Sequence, residues 1–203
     1  MRFLIGVDEA GRGPLAGPVA VGVALVSSDF DFGRIPGVKD SKQLSEKERE
    51  RIYALARELQ KEKVLDFKVA MVGAGMIDRI GISRATALAV ARALARLSCS
   101  SYCNFLPHDS DVRLDGLLHA PPEYTNQQTI IRGDQTEPVI SLASIMAKVT
   151  RDRYMVRVAK HYPLYEFARH KGYGTLLHRQ RIQAHGLSDL HRKYFCKRFG
   201  LPK

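Results

Sequence analysis

The segment Val19-Ala20-Val21-Gly22-Val23-Ala24-Leu25-Val26 places the strongest constraint on the fold. It is continuously apolar and rich in valine, which suits a strand buried inside a domain, and it is far too short to span a bilayer. Upstream, Phe3 to Val7 reads as another strand ending at Asp8. Gly11, Gly13, Pro14, Gly17 and Pro18 punctuate the turn between the two. Leu65, Phe67, Val69 and Met71 alternate with Asp66 and Lys68, which predicts a third strand with one wet face. Val112-Arg113-Leu114-Asp115 and Thr129-Ile130-Ile131 read as two further short strands.

Three helices complete the pattern. Ser45-Glu46-Lys47-Glu48 is a capping box, followed by Ile52, Leu55, Ala56 and Leu59 at helical spacing. Ser83 is placed to cap a second helix that buries Leu88, Ala91, Leu94 and Ala95. Val139, Leu142, Ala143, Met146 and Val149 predict a third, apolar until Lys148, Arg151 and Arg153 crowd its end, where positive charge is favourable. Strands first, then alternating helices and strands, predict an α/β fold with a mixed central sheet flanked by helices. The 203 residues suffice for one sizeable core. Residues 1–160 read as an α/β core and 161–203 as a small basic helical segment of the same domain.

Charge narrows the choice of partner. The net charge is +11, and excess positive charge points to a polyanion, nucleic acid above all. From His161 onward nine Lys or Arg face only Glu166 and Asp189, so +7 of that total lies in the last fifth of the chain. Five of the seven histidines and seven of the sixteen aromatic residues are there too. Cations beside aromatics suit phosphates beside sugars and bases. The first ten residues meet two acids and lack a small-residue cleavage site, so a cytoplasmic protein without a secretory signal is expected. Cys99, Cys103 and Cys196 have no framework spacing, and structural disulfides are not expected.

The chemistry centres on acids. Asp8 and Glu9 follow an apolar strand directly, and ligands of α/β sheets bind outside strand ends. Adjacent carboxylates repel, and a hard cation such as Mg²⁺ or Mn²⁺, which takes oxygen ligands, neutralises them. Asp115 closes another predicted strand and could meet the pair at the same sheet edge. Asp134, in a turn before a buried helix, could supply a fourth ligand. Four acids without His or Cys suit two hard cations about 3.5–4 Å apart, as in nucleases and polymerases. The plainer alternative is that each strand-end acid caps a turn or pairs with a base. Gly11-Arg12-Gly13 follows at once; its glycines allow close backbone approach, and exposed N–H groups bind phosphate or hydroxyl oxygens. No Gly-Lys-Ser/Thr follows, so this is not a Walker loop.

Taken together, these stretches resemble the type 2 ribonuclease H family, ribonuclease HII. Gly6-Val7-Asp8-Glu9-Ala10-Gly11-Arg12-Gly13-Pro14-Leu15-Ala16-Gly17-Pro18-Val19 matches the family's opening signature, and Lys39-Asp40-Ser41-Lys42-Gln43-Leu44-Ser45 a second stretch. Leu114-Asp115-Gly116 resembles its third-acid strand. Gly133-Asp134 with Ser141-Leu142-Ala143-Ser144-Ile145-Met146-Ala147-Lys148-Val149-Thr150-Arg151-Asp152 resembles its fourth-acid segment. His170-Lys171-Gly172-Tyr173-Gly174-Thr175 matches a C-terminal signature. The matches run in family order over nearly the whole chain. Two departures stand out: Leu142 where the family often has a small residue, and Glu166 where glycine is common.

The resemblance implies a ribonuclease H-like fold. It implies hydrolysis of RNA in RNA–DNA hybrids and incision 5′ of single ribonucleotides in duplex DNA, leaving 5′-phosphate and 3′-hydroxyl ends, as in ribonucleotide excision repair. It places the catalytic, metal-binding acids at Asp8, Glu9, Asp115 and Asp134. It assigns ribose recognition to Gly11, Arg12, Gly13 and Tyr173. The 2′-hydroxyl is what distinguishes RNA, and close backbone approach can test for it. Asp152 is a rival fourth acid, but Arg151 and Arg153 flank it and are expected to pair with it. Lys42, Lys148, Arg169 and Lys171 are candidate phosphate contacts. The expected cofactor is Mn²⁺ or Mg²⁺, two ions with substrate bound. The expected partner is an RNA–DNA hybrid or ribonucleotide-containing duplex, met by a monomer away from any membrane. Two other readings remain open: a metal-dependent phosphotransferase of the same broad fold, and a binding protein without catalysis.

Overall fold

Apolar alternation becomes a five-stranded mixed sheet in a computed structural model that describes residues 3–39, 41, 43–100, 105–198 and 200. The strands are β1 (Phe3–Ala10), β2 (Val19–Ser27), β3 (Asp66–Val72), β4 (Ser110–Asp115) and β5 (Gln127–Ile130), in spatial order β3-β2-β1-β4-β5. β1, β2 and β3 form an antiparallel meander, and β4 and β5 add in parallel on the other side of β1. Helix α1 (Glu46–Lys61) starts at the capping box as expected, with Ser45 and Glu48 bonded reciprocally. Helices α2 (Ala74–Ile80) and α3 (Ile82–Ser98) follow β3, and α4 (Gly133–Thr136) and α5 (Pro138–Ala159) follow β5. Helices α6 (Phe167–His170), α7 (Leu176–His185) and α8 (Lys193–Arg198) form the C-terminal region.

Both sheet faces are covered. Ile5, Val7, Val21 and Val23 pack with Ala89, Leu94 and Leu97 of α3 on one side. Ala24, Val26 and Phe67 pack with Ile52 and Leu59 of α1 and with Leu142 and Met146 of α5 on the other. This explains the uninterrupted apolar run in β2, which has no wet face.

Several expectations need correction. β3 has no wet face: Asp66 is buried and ion-paired with Lys68 at 2.8 Å, while Ala70 and Val72 join the core. The second helix is capped at Gly81 rather than Ser83, and it buries Ala85, Ala89, Val90, Ala93, Leu94 and Leu97. An alanine-rich segment has a weak hydrophobic phase, so the buried face shifted by one position. β5 ends at Ile130 and leaves Ile131 exposed. The third long helix, α5, does not end at its basic cluster but continues to Ala159. Arg151 lies in its interior, fully buried. Residues 139–147 of α5 are buried on every side, between sheet and neighbouring helices, so the helix has no single apolar stripe from which its end could be read.

The C-terminal composition also divides differently. Tyr165 and Phe167 are buried with Met155 and Ala16, and His170, His178 and His191 are buried beside them. These rings are core, not a stacking surface, whereas Tyr173 and Tyr194 are exposed. Glu166 adopts φ +55°, a left-handed conformation that explains a preference for glycine there, and ion pairs with Arg169 and Arg181 hold it. Cys196 is buried and free, and Cys103 lies outside the described residues. Among the described residues no helix is long and apolar enough to cross a membrane.

Glycine lets α5 lie directly on the sheet. A Cβ on Gly22 would fall 2.2 Å from the Ala143 carbonyl oxygen and 3.0 Å from the Ala147 nitrogen. Helix backbone cannot retreat without lifting α5, so Gly22→Ala is expected to destabilise the fold by at least about 3 kcal/mol in urea unfolding. A loss below about 1 kcal/mol would mean that this contact is not tight.

Candidate metal centre

Register places the first two acids side by side. β1 and β4 are parallel with Val7 opposite Leu114, so Asp8 and Asp115, one residue on, are level and share a sheet face. Pairing with β4 stops there, while β1 continues against β2 through Ala10 opposite Ala20. Asp8 and Glu9 are therefore within the strand rather than past its end as expected. The notch lies at the carboxyl ends of two parallel strands, where α/β sheets bind ligands. The third acid, Asp134 of α4, donates its backbone N–H to Asp115 Oδ1 at 3.3 Å. Carboxylate oxygens of Asp8, Asp115 and Asp134 lie within 4.8 Å of one another.

Glu9 occupies the alternate strand position and is not in that trio. It lines the same cavity and approaches Arg12 Nη1 at 3.7 Å. Asp8 is only 4% exposed. Burial, then the charges of Glu9 and Asp115, push its carboxyl well above the usual range. The Ser144 hydroxyl and the Glu9 N–H, at 2.7 Å, bond to it and act in the opposite sense. Ser144 also bonds Ser41 at 2.8 Å. This all-oxygen, charge-deficient trio fits a hard divalent cation, which would supply the missing positive charge.

The cavity is lined by Asp8, Glu9, Gly11, Arg12, Ser41, Asp115, Ser144, Lys148 and Tyr173, with the Ala10 backbone. The Tyr173 ring has Lys148 Nζ 5.3 Å and Arg151 Cζ 5.6 Å from its centre. Gly11 has φ +85°, and a Cβ there would fall 2.0 Å from Arg151 Nε, so only glycine fits above that side chain. Gly13 does not line the cavity. Arg169 and Lys171 lie outside it, the first paired with Glu166 at 3.0 Å. Lys42 lies outside the described residues. Asp152 is held by Lys148 at 3.0 Å and approached by Arg151 at 3.9 Å, while Arg153 pairs with Glu50 instead. Asp152 is not among the trio. Sequence pattern marks neither Ser41, Ser144 nor Arg192 as part of the site, and marks Arg151 only as a partner of Asp152. The serines lie within the quoted stretches, but no local pattern marks either arginine as loop-contacting.

Comparison with known proteins identifies the family. A ribonuclease HII from Endomicrobium trichonymphae is 44% identical over 190 residues, covering 94% of this chain and 83% of that protein. One from Caldicellulosiruptor bescii is 43% identical over 197 residues, covering 97% and 87%. The ribonuclease H2 structure from Pyrococcus horikoshii superposes with TM-score 0.70 at 25% identity, covering 98% and 99% of the two chains. Bst-RNase HIII, solved in complex with Mn²⁺, shares the fold at TM-score 0.69 and 19% identity, covering 95% of this chain and 67% of that one. The ribonuclease HII family model matches residues 5–198. The phosphotransferase and non-catalytic alternatives are thereby set aside: the chain belongs to the ribonuclease HII family and is a metal-dependent endoribonuclease, a hydrolase of RNA–DNA hybrids.

Proposed function

We propose that the chain incises duplex DNA on the 5′ side of a single embedded ribonucleotide, as well as cutting the RNA of continuous hybrids, and leaves 5′-phosphate and 3′-hydroxyl ends. The observation that carries this reading is adjacency: Asp8, Glu9, Asp115, Gly11, Arg12 and Tyr173 line one cavity, and Asp134 brings a carboxylate oxygen to Asp8 and Asp115. Asp8, Asp115 and Asp134, with Glu9, would hold two divalent ions. Such a pair supplies an activated water and stabilises the leaving oxygen.

The remaining roles belong to the chain itself. Gly11, Arg12 and Gly13 present backbone to the ribose 2′-hydroxyl. A Cβ on Gly13 would meet nothing within 4 Å, so neither packing nor a positive φ requires glycine there, and the space above it is open to a ligand. Tyr173 packs against the neighbouring sugar, oriented by Lys148 and Arg151. Lys148 is placed for the scissile phosphate, and Arg169 and Lys171, close to Tyr173 in sequence, for phosphates farther along.

A labelled duplex with one ribonucleotide tests this directly. Cutting at that site is expected with Mg²⁺ or Mn²⁺ and is expected to stop in EDTA. Incision that survives EDTA, or a protein that cuts continuous hybrids and ignores the embedded ribonucleotide, would refute the proposal.

A further inference from the structure

Arg192 is fully buried, and its guanidinium bonds only to main-chain carbonyls among the described residues: Gly11 at 2.6 Å, Arg12 at 2.7 Å and Gly17 at 2.9 Å. Burial, then the nearby Arg151, lowers its pKa to about 9, so it stays charged at neutral pH. A buried cation whose hydrogen bonds all go to carbonyls, with the Phe195 ring 5.2 Å from its centre, is costly and invites a functional explanation. Peptide planarity suggests one. Among the described residues no peptide bond is cis, and in a trans peptide the C=O and the following N–H point in opposite directions. Drawing the Gly11 and Arg12 carbonyls inward therefore turns the N–H groups of Arg12 and Gly13 away from the guanidinium, as a pair of outward donors.

The preceding residue, His191, reaches Tyr173. Its Nδ1 accepts from the Ser188 N–H at 2.8 Å, and its Nε2 faces His178 Nε2 at 3.1 Å. His178 Nδ1 lies 2.9 Å from the Tyr173 carbonyl. A carbonyl only accepts, so His178 Nδ1 carries the proton and its Nε2 must accept from His191 Nε2–H. One order satisfies every contact: Ser188 N–H to His191, His191 to His178, His178 to Tyr173. Both rings are neutral. His170 stacks on His178 at 4.2 Å and accepts the Gly172 N–H at 3.2 Å. The N–H groups of Leu15 and Ala16 both donate to the Gly172 carbonyl, at 2.9 and 3.2 Å, and stitch the two loops together.

We infer that the adjacent residues His191 and Arg192 are positioning residues that hold the Gly11–Gly13 loop and Tyr173 in one fixed relation, and thereby set selectivity for an isolated ribonucleotide. The inference rests on the proposed reading that these two elements contact the ribose. A continuous hybrid offers a 2′-hydroxyl at every RNA position and a recognisable groove shape, so it tolerates a loosened reader. A single ribonucleotide offers one hydroxyl and does not.

The test is the ratio of kcat/KM on a duplex with one ribonucleotide to that on a continuous hybrid, with Mn²⁺ and the full chain. Arg192→Met and His178→Phe are expected to lower this ratio at least about tenfold, and Arg192→Lys, a single-point donor, to lower it less. Mn²⁺ binding without nucleic acid should stay within about twofold, because Asp8, Glu9 and Asp115 sit on the sheet and Asp134 on α4, and none of them bonds Arg192. A purely structural role would lower both rates with the folded fraction and leave the ratio alone, and that result overturns the inference. Should Arg192→Met fail to fold, Arg192→Lys decides by the same ratio.

Gly13→Ala separates the inference from the reading beneath it. Its new methyl meets nothing in the protein, so impaired cutting by a normally folded Gly13→Ala supports contact with substrate. Wild-type rates in Gly13→Ala remove the ribose-reading role of the loop. Impaired Gly13→Ala beside unchanged ratios in the Arg192 variants removes only the positioning role.

Discussion

Asp8→Asn is expected to abolish strand cleavage and at the same time raise the melting temperature in EDTA. Both effects have one cause. Asp8 is buried, and its charged form is opposed by desolvation and by Glu9 and Asp115. An amide of the same shape removes the charge, and its oxygen still accepts from the Glu9 N–H that now meets Oδ1 at 2.7 Å. Relief of that repulsion stabilises the metal-free fold by about 1–2 kcal/mol, which is a few degrees for a chain of this length. Loss of a carboxylate from the trio lowers divalent-ion affinity and removes charge stabilisation from the reaction, worth at least about a thousandfold in rate. Thermal unfolding in EDTA and cleavage of a continuous hybrid in Mn²⁺ measure the two halves. A variant that melts lower and cuts as wild type would remove Asp8 from the site.

Mild acid is expected to weaken the fold through the buried histidines. Burial lowers the pKa of His178 to about 3, with neighbouring His170 and His191 acting in the same direction, and lowers that of His191 to about 4. His170 is lowered too, by burial first, although Glu166 opposes the shift. The unfolded chain binds these protons near pH 6.5 and the folded chain does not, so the unfolded state carries more protons below that pH. Stability is complete above about pH 6.5 and is lost progressively toward pH 4. At pH 5 each of His178 and His191 accounts for about 2 kcal/mol, and together they lower the melting temperature by roughly ten degrees relative to pH 7.5.

Asp8 acts in the opposite direction, because a raised carboxylate pKa favours the folded state as pH falls. The comparison is therefore cleanest in Asp8→Asn. His178→Phe in that background should flatten the slope between pH 7.5 and 5. An unchanged slope would show that the acid sensitivity lies elsewhere.

Much of the architecture was legible because it depends on local pattern. The capping box before α1, the valine-rich β2 and the acid after each apolar segment are all short-range signals. What failed was phase and extent. α3 is rich in alanine, which marks a buried face weakly, so its N-cap moved from Ser83 to Gly81. α5 is enclosed on most sides, so neither its end nor the burial of Arg151 shows in its periodicity. Composition suggests a binding surface in the C-terminal cations and aromatics because it does not record which way a ring points. His170, His178 and His191 face inward and satisfy one another there.

Sequence alone was enough for the mixed α/β architecture and the family, and it marked the candidate acids, because long ordered motifs and strand-end carboxylates need no knowledge of distant contacts. The tertiary structure alone decided how those acids divide. Parallel register makes Asp8 and Asp115 neighbours on one face, α4 brings Asp134 to them, and alternation turns Glu9 toward Arg12. It alone joined Arg192 to Gly11 across 181 positions of chain. Contacts such as Asp8 with Asp115 and Arg192 with Gly11 are set by where the chain ends up after burial and hydrogen bonding are satisfied together, and no short window along the sequence contains both partners.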